Sequence, residues 1–292
     1  MKVVLFGKNG QLGSEFQRLL PNLGETRSLG RKDLDIGNIQ ALQKELNDFK
    51  PDLIINASAY TAVDAAESDL AVSMQVNAIA PGVMSEWARK FNAVLIHYST
   101  DFVFDGEKGS PYTENDPTRP LNVYGQSKLA GEENIMQAGE TYLILRTSWV
   151  YSVHGNGFVR KVLEWAHTKD ALKIVSDQVG SPTWAYDLAW ATYQVILQNQ
   201  ARLLDMTREK SGIYHLAGSG YTSRYEWAKQ IIANDPNRTE HLVRSIEPVP
   251  SSDFPTPATR PSFSALDCSK FVAAFKLKMP EWNFSLQKAL RG

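Results

Sequence analysis

Tyr124 and Lys128 stand four residues apart in Tyr124-Gly125-Gln126-Ser127-Lys128, a spacing that puts both on one face of a helix. A free phenol ionises near about 10, too high for ready proton exchange at neutral pH. An ammonium beside it favours the phenolate and lowers that value. Upstream, Tyr98-Ser99-Thr100-Asp101 ends an apolar run, and the Thr100 hydroxyl there can hold a carbonyl oxygen. Thr100, Tyr124 and Lys128 together make a proton-relay set for interconverting an alcohol and a carbonyl. The lysine is also suited to holding ribose hydroxyls beside a nicotinamide ring.

A Tyr…Lys pair alone is common by chance, and it gains weight from a second motif. Gly7-Lys8-Asn9-Gly10-Gln11-Leu12-Gly13 directly follows the apolar run Val3–Phe6 and opens a helical window. Missing β-carbons let the chain turn tightly and let a pyrophosphate approach the backbone, while the helix N-terminus offers unpaired N–H groups. The second strand-like run ends in Ser28-Leu29-Gly30-Arg31-Lys32, where an NAD-preferring site would carry an acid. Basic residues there suit a 2′-phosphate, with Arg31 as the leading contact. NADP(H) is therefore the expected cofactor, with Asp33 and Asp35 close enough to leave NAD(H) acceptable. Asn56-Ala57-Ser58-Ala59-Tyr60-Thr61 ends a third run in small residues that leave room for a cofactor.

These motifs need a scaffold of alternating strands and helices, and the sequence supplies one. Strands are expected at Val3–Phe6, Arg27–Leu29, Asp52–Ala57, Ala93–Tyr98 and Thr141–Arg146. Helices are expected near Gln11–Leu20, Ile39–Phe49, Asp69–Phe91 and Val123–Met136. The strands are nearly continuous apolar runs, as a parallel sheet covered on both faces requires. This predicts an α/β protein: a Rossmann-type doubly wound parallel sheet with a smaller C-terminal mixed α/β substrate domain. Residues 1–150 would bind the cofactor and 151–292 mainly the substrate, with 170–180 and 210–218 returning to extend the sheet. Prolines at 248, 250, 255, 257 and 261 forbid an interior helix or central strand there.

Composition removes several classes. The 292 residues carry 31 basic and 32 acidic side chains, so no global basic field supports nucleic-acid binding. The one cysteine, Cys268, excludes an internal disulfide framework and a thiolate zinc cluster. No apolar run reaches about 18 residues, and the first run is too short for a signal-peptide core. A cytoplasmic protein with no membrane partner is expected. Of the five histidines, none pairs with another at metal-ligand spacing. His97 and His215 lie within strand runs and read as core residues.

The chain resembles the extended short-chain dehydrogenase/reductases and, more narrowly, the dTDP-4-dehydrorhamnose reductase family. The resemblance runs through GKNGQLG, NASAYTAVDAAE, YSTDFVFDG, PLNVYGQSKLAGE, RTSWVY, DQVGSPTWAYDLA, GIYHLAG and TPATRPSFSAL. It implies reduction of the C4 ketone of dTDP-6-deoxy-L-lyxo-4-hexulose by NADPH or NADH. Tyr124 would donate the proton, Lys128 would lower its pKa and bind the nicotinamide ribose, and Thr100 would bond the ketone. Gly7, Asn9, Gly10, Gln11 and Leu12 would form the pyrophosphate loop, with Asp35 and Ile36 near the adenine. Ala59, Tyr60 and Thr61 would run along the cofactor. Val63, Asp101 and Trp149 would line the sugar pocket, the Trp149 ring packing on the hexose. Arg260 could grip the diphosphate with two parallel bonds.

One family feature is missing. Some members dimerise around magnesium held by glutamates. Glu15 matches one position, but Tyr186 occupies the second, and residue 292 is glycine. No structural metal is expected, and the assembly would be a monomer or weak homodimer. Two rival readings share these motifs: a nucleotide-sugar epimerase or dehydratase of the same fold, and a non-catalytic regulatory subunit resembling that of methionine adenosyltransferase. The intact relay set argues against the second.

Overall fold

The computed structural model describes residues 1–155 and 157–291, so Gly292, considered above for a metal site, lies outside them. Strands β1 (Lys2–Phe6), β2 (Glu25–Leu29), β3 (Leu53–Asn56), β4 (Val94–Thr100) and β5 (Tyr142–Thr147) join Gly212–His215 in one sheet. All neighbours are parallel, in the order Gly212–His215, β5, β4, β3, β1, β2. The order reverses between β1 and β3, which leaves a crevice at their C-terminal ends, where doubly wound sheets bind ligands.

Successive strand residues point to opposite faces, so the apolar runs serve two cores at once. Val3, Leu5, Leu53, Ile55, Val94, Ile96, Leu143 and Leu145 meet helix Gln11–Leu19, helix Ala185–Gln198 and the aromatic pair Phe271 and Phe275. Val4, Phe6, Ile54, Leu95 and Ile144 meet Leu42, Leu46 and Phe49 of helix Ile39–Phe49 and Met84 and Trp87 of helix Ala80–Phe91. Each fully buried aliphatic contributes about 1.5–3 kcal/mol. The expected long helix over Asp69–Phe91 is interrupted. Leu70–Met74 is α-helical, Gln75–Ile79 widens into a π turn, and Ala80–Phe91 resumes the α-helix.

A third core lies beyond the sheet. Tyr151, Val159, Val162, Leu172, Ile174, Trp227, Ile231 and Leu286 pack together in a smaller lobe. Strand Ala171–Val175 belongs to it, pairing in parallel with Ser245–Val249. The expectation that Leu172–Val175 returns to the main sheet is therefore corrected. Its alternating burial, with Leu172 and Ile174 inside and Lys173 out, suits a ribbon covered on one face. Its partner carries Pro248, which a two-stranded ribbon with open edges tolerates. Gly212–His215 does add to the sheet beside β5. The chain thus crosses between lobes, since helix Ala185–Gln198 packs on the sheet after the ribbon strand has been made.

Candidate active site

The glycine loop sits in the crevice between β1 and β3. Gly7 has φ 92°, and a Cβ on it would lie 2.6 Å from the Ala57 carbonyl oxygen. A Cβ on Gly13 would lie 2.0 Å from the Gly7 oxygen. Both glycines are thus required by the chain's own packing. Gly10 is different: its nearest neighbour to such a Cβ is at an ordinary 3.4 Å. Gly10 precedes helix Gln11–Leu19 and gives it no side-chain cap, so the first N–H groups are open to an anion. Gln11 Oε1 is buried without a partner beside them. This uncapped cradle with an orphaned polar atom fits a dinucleotide pyrophosphate.

Past β2, Gly30 N–H donates to Asp33 at 2.8 Å and Lys8 pairs with the same carboxylate oxygen at 2.8 Å. Bonding to Lys8 and Gly30 holds Asp33 below the usual carboxylate range. Arg31, Lys32 and Asp35 are exposed at this turn, and Ile36 is buried under it. Ala59, Tyr60 and Thr61 follow β3. Asn77 of the π turn clasps the Tyr60 backbone, accepting from its N–H at 2.8 Å and donating to its carbonyl at 3.1 Å.

The relay residues meet where β4 ends against helix Val123–Ala138. Asn122 caps this helix by accepting from Gly125 N–H at 2.8 Å, and its amide donates to the Thr259 carbonyl at 2.7 Å. Helix and π turn touch so closely that a Cβ on Gly131 would lie 2.0 Å from the Asn77 oxygen. Thr100 is buried, donates to Asp101 Oδ1 at 3.1 Å and accepts from Phe102 N–H at 3.2 Å. Burial pushes the Tyr124 phenol up to about 12; the Thr100 hydroxyl offsets part of this and the Asp101 charge adds to it. Lys128 is 1 % exposed, with Nζ donating to the Tyr98 carbonyl at 2.7 Å and lying 3.0 Å from His97 Nε2. Burial lowers it to about 8 against the raising influence of Glu132. Glu132 forms a buried pair with Arg146 of β5, at 2.6 to 3.2 Å. The expected lowering of the Tyr124 pKa by Lys128 is therefore not seen here, because the lysine nitrogen is engaged with β4 instead.

A groove of 990 Å³ runs along the smaller lobe and the proline-rich segment, and its lining includes Lys161, Arg224, Ser251, Phe254, Thr259 and Arg260. Asp101 does not present a free carboxylate to it. Its oxygens accept from Thr100, from Ser148 at 2.9 Å and from Ser264 at 2.5 Å, and burial raises its pKa. Trp149 has φ 43°, a strained value for a bulky residue. Its ring stacks on Trp227 at 5.4 Å, and the Arg224 guanidinium sits 3.7 Å from its centroid. Arg260 holds both oxygens of Asp64, at 3.1 and 2.8 Å.

The model of the RmlD substrate binding domain matches residues 1–292. A dTDP-4-dehydrorhamnose reductase of Burkholderia thailandensis is 40 % identical over 294 residues, covering 100 % of this chain and 98 % of that one. The chain belongs to the dTDP-4-dehydrorhamnose reductase family. A crystal structure from Clostridium acetobutylicum described as such a reductase superposes with a TM-score of 0.88, at 35 % identity, covering 100 % and 99 % of the two chains. Another, from Bacillus anthracis and in complex with NADP, also gives 0.88, at 32 % identity and 99 % and 98 % coverage. Membership makes the chain an NAD(P)H-dependent oxidoreductase, which sets aside the purely regulatory alternative.

Against that family background, several expected residues take different partners. Val63 begins the short helix Val63–Ala66, and its neighbour Asp64 is the residue Arg260 grips, so Arg260 ties the proline-rich segment to this helix. Arg224 and Lys161, lining the groove, were not singled out by sequence. Both lie in amphipathic helical windows, where basic residues read as solvated charges. Glu15 is buried with Arg18 at 3.7 Å, and Tyr186 is exposed and packed near Trp184 and Trp190. Two histidines far apart in sequence come together in space: His167 and His241 both face Asp235 Oδ2, at 3.3 and 2.7 Å. That carboxylate hydrogen-bonds His241, and His167 approaches it in the smaller lobe. No helix among the described residues is long and apolar enough to cross a membrane.

Proposed function

We propose that this chain reduces the C4 ketone of dTDP-6-deoxy-L-lyxo-4-hexulose to dTDP-L-rhamnose, the last step of dTDP-rhamnose synthesis for cell-surface polysaccharide. The observation that carries the reading is the meeting of Thr100, Tyr124 and Lys128 at the sheet's C-terminal edge, beside an uncapped pyrophosphate cradle, with the Asn122 cap of the relay helix bonded to Thr259 of the groove wall. A bound nicotinamide cofactor supplies the hydride. Gly7, Asn9, Gly10, Gln11 and Leu12 hold its diphosphate, Asp35 and Ile36 flank its adenine, and Ala59, Tyr60 and Thr61 line its path.

Thr100 orients the ketone oxygen and Tyr124 gives that oxygen its proton. Its raised pKa keeps the phenol protonated throughout the neutral range, the form a donor needs. The Lys128 ammonium, turned from the Tyr98 carbonyl toward the phenolate left behind, lowers the cost of that phenolate. Asp101, locked by three hydroxyls, holds Thr100 in place at the edge of the sugar pocket. Val63 and Trp149 bound that pocket. Arg224 and Lys161 take the sugar nucleotide's diphosphate, with Arg260 at the rim. Arg31 favours NADPH through its 2′-phosphate, and NADH is accepted less well. The enzyme acts in the cytoplasm as a monomer or weak homodimer, without a structural magnesium ion.

The test is loss of NADPH absorbance with enzymatically prepared dTDP-4-keto-6-deoxy-L-hexulose. Stoichiometric NADPH consumption is expected and separates a reductase from an epimerase, which regenerates its cofactor. Absence of turnover by the unmodified chain overturns the reading.

A further inference from the structure

Behind the relay lies a polar chain that this scheme leaves unused. His97 is fully buried in β4, with Nδ1 3.0 Å from Asn56 Nδ2 and Nε2 3.0 Å from Lys128 Nζ. The Asn56 amide is oriented by its other end. Its Oδ1 accepts from Ser58 N–H at 3.1 Å and from the Ser58 hydroxyl at 2.5 Å. A backbone N–H only donates, so Nδ2 is the atom turned toward the imidazole, and it too only donates. Nδ1 is then the acceptor, and a neutral ring carries its proton on Nε2. That proton faces Lys128 Nζ, which also donates to the Tyr98 carbonyl at 2.7 Å. An ammonium has no lone pair and would meet Nε2–H donor against donor, whereas an amine has the lone pair that fits.

We propose that His97 is a positioning residue for Lys128: its Nε2–H, fixed by Asn56, holds the lysine nitrogen at the relay and opposes a permanent ammonium there. The proposal deepens the reductase reading and rests on it for the role of Lys128, while the ring tautomer stands independently of turnover. Burial and the Lys128 charge hold His97 well below the imidazole range, so the ring stays neutral. Burial likewise brings Lys128 down to about 8. Among the described residues, the titratable groups around the pair are few. Glu132 lies one turn along the same helix and is taken by Arg146 of β5. Tyr124 lies one turn back, and Asp101 follows the end of β4 in its cage of hydroxyls. The Tyr98 phenol bonds Thr192 on the other face of the sheet. Helix Leu70–Met74 and the π turn contribute uncharged Ser73 and Asn77, which bond Ser127.

If the ammonium is the form that assists Tyr124, kcat falls as pH rises through about 8. Asn56→Asp replaces the Nδ2 donor by an acceptor and keeps the Ser58 contacts. It moves the imidazole proton to Nδ1 and frees Nε2 to accept from the ammonium. The alkaline limb of kcat is expected to shift upward by about one pH unit or more, with KM for the sugar nucleotide unchanged. Limbs that superpose overturn the proposal. A second measurement needs no variant: nitrogen NMR of the unmodified protein with labelled histidine. The other buried ring, His215, places Nδ1 3.0 Å from the Tyr112 carbonyl and so carries its proton there. Two rings that do not titrate, one of each tautomer, are expected, with His97→Gln removing the Nε2–H signal. A proton on His97 Nδ1 overturns the proposal even if Asn56→Asp fails to fold. Absence of ketone reduction by the unmodified chain would remove the reductase reading and leave the tautomer measurement to decide on His97.

Discussion

Lys128 is 1 % exposed and has two partners within the chain, both on β4. Arg224, Lys161 and Arg260, by contrast, line a 990 Å³ groove open to solvent. The relay corner is held by hydrogen bonds among groups denied water, so each must be matched inside the protein. The groove side is held by stacking and by one half-exposed ion pair, Arg260 with Asp64, while Arg224 and Lys161 carry charge that a ligand can meet. Pre-arranged chemistry and adaptable capture thus occupy adjoining regions with different physics, and substitutions should separate them.

Tyr124→Phe should give the largest effect. Loss of the proton donor is expected to lower kcat by roughly 10²–10⁴-fold, with the circular dichroism unchanged. Next come two arginine ion pairs. Arg146→Met strands Glu132 in the interior, where an uncompensated charge costs about 3–5 kcal/mol. Arg260→Met breaks a half-exposed pair, expected to cost below about 1 kcal/mol. Urea unfolding of the two variants measures the difference, and equal costs would break the contrast between the regions. Within the glycine loop, Gly13→Ala must push against the Gly7 carbonyl and should destabilise by about 1–3 kcal/mol. Gly10→Ala has ordinary clearance, so its melting temperature should hold while NADPH titration shows weaker binding.

Arg224→Ala removes one charge-assisted contact, worth about 1.5–3 kcal/mol. KM for the sugar nucleotide should rise roughly ten- to hundredfold while kcat stays within a few-fold. An unchanged KM would take Arg224 out of the substrate site. Smallest is Arg31→Ala, at an exposed turn. The ratio of kcat/KM for NADPH over NADH should fall by about fivefold, corresponding to about 1 kcal/mol.

The sheet was largely legible from the chain, because β1, β3, β4 and β5 are apolar runs that only a doubly covered parallel sheet accommodates. The loop of Gly7, Gly10 and Gly13 was legible for the same local reason, as was the Tyr124–Lys128 spacing. What escaped depends on register. Asn56 and His97 are direct partners across β3 and β4, a relation that no local spacing encodes, so His97 read as core. The pairing of Ala171–Val175 with Ser245–Val249 joins segments some seventy residues apart, one of them hidden by its prolines. Asp101 looked like a pocket group, because its partners Ser148 and Ser264 come from distant loops.

The π turn at Gln75–Ile79 carries a last consequence. Such a turn amounts to an α-helix with one residue added, and each residue advances an α-helix by about 100°. Deleting any single residue from this stretch would let the helix close its ordinary hydrogen bonds, and its own backbone would gain regularity. The same deletion would swing Asn77 away from Tyr60 and Ser127, which it now bridges. A length change that improves the helix would therefore loosen the cofactor edge from the relay helix, so this segment should tolerate substitution far better than deletion.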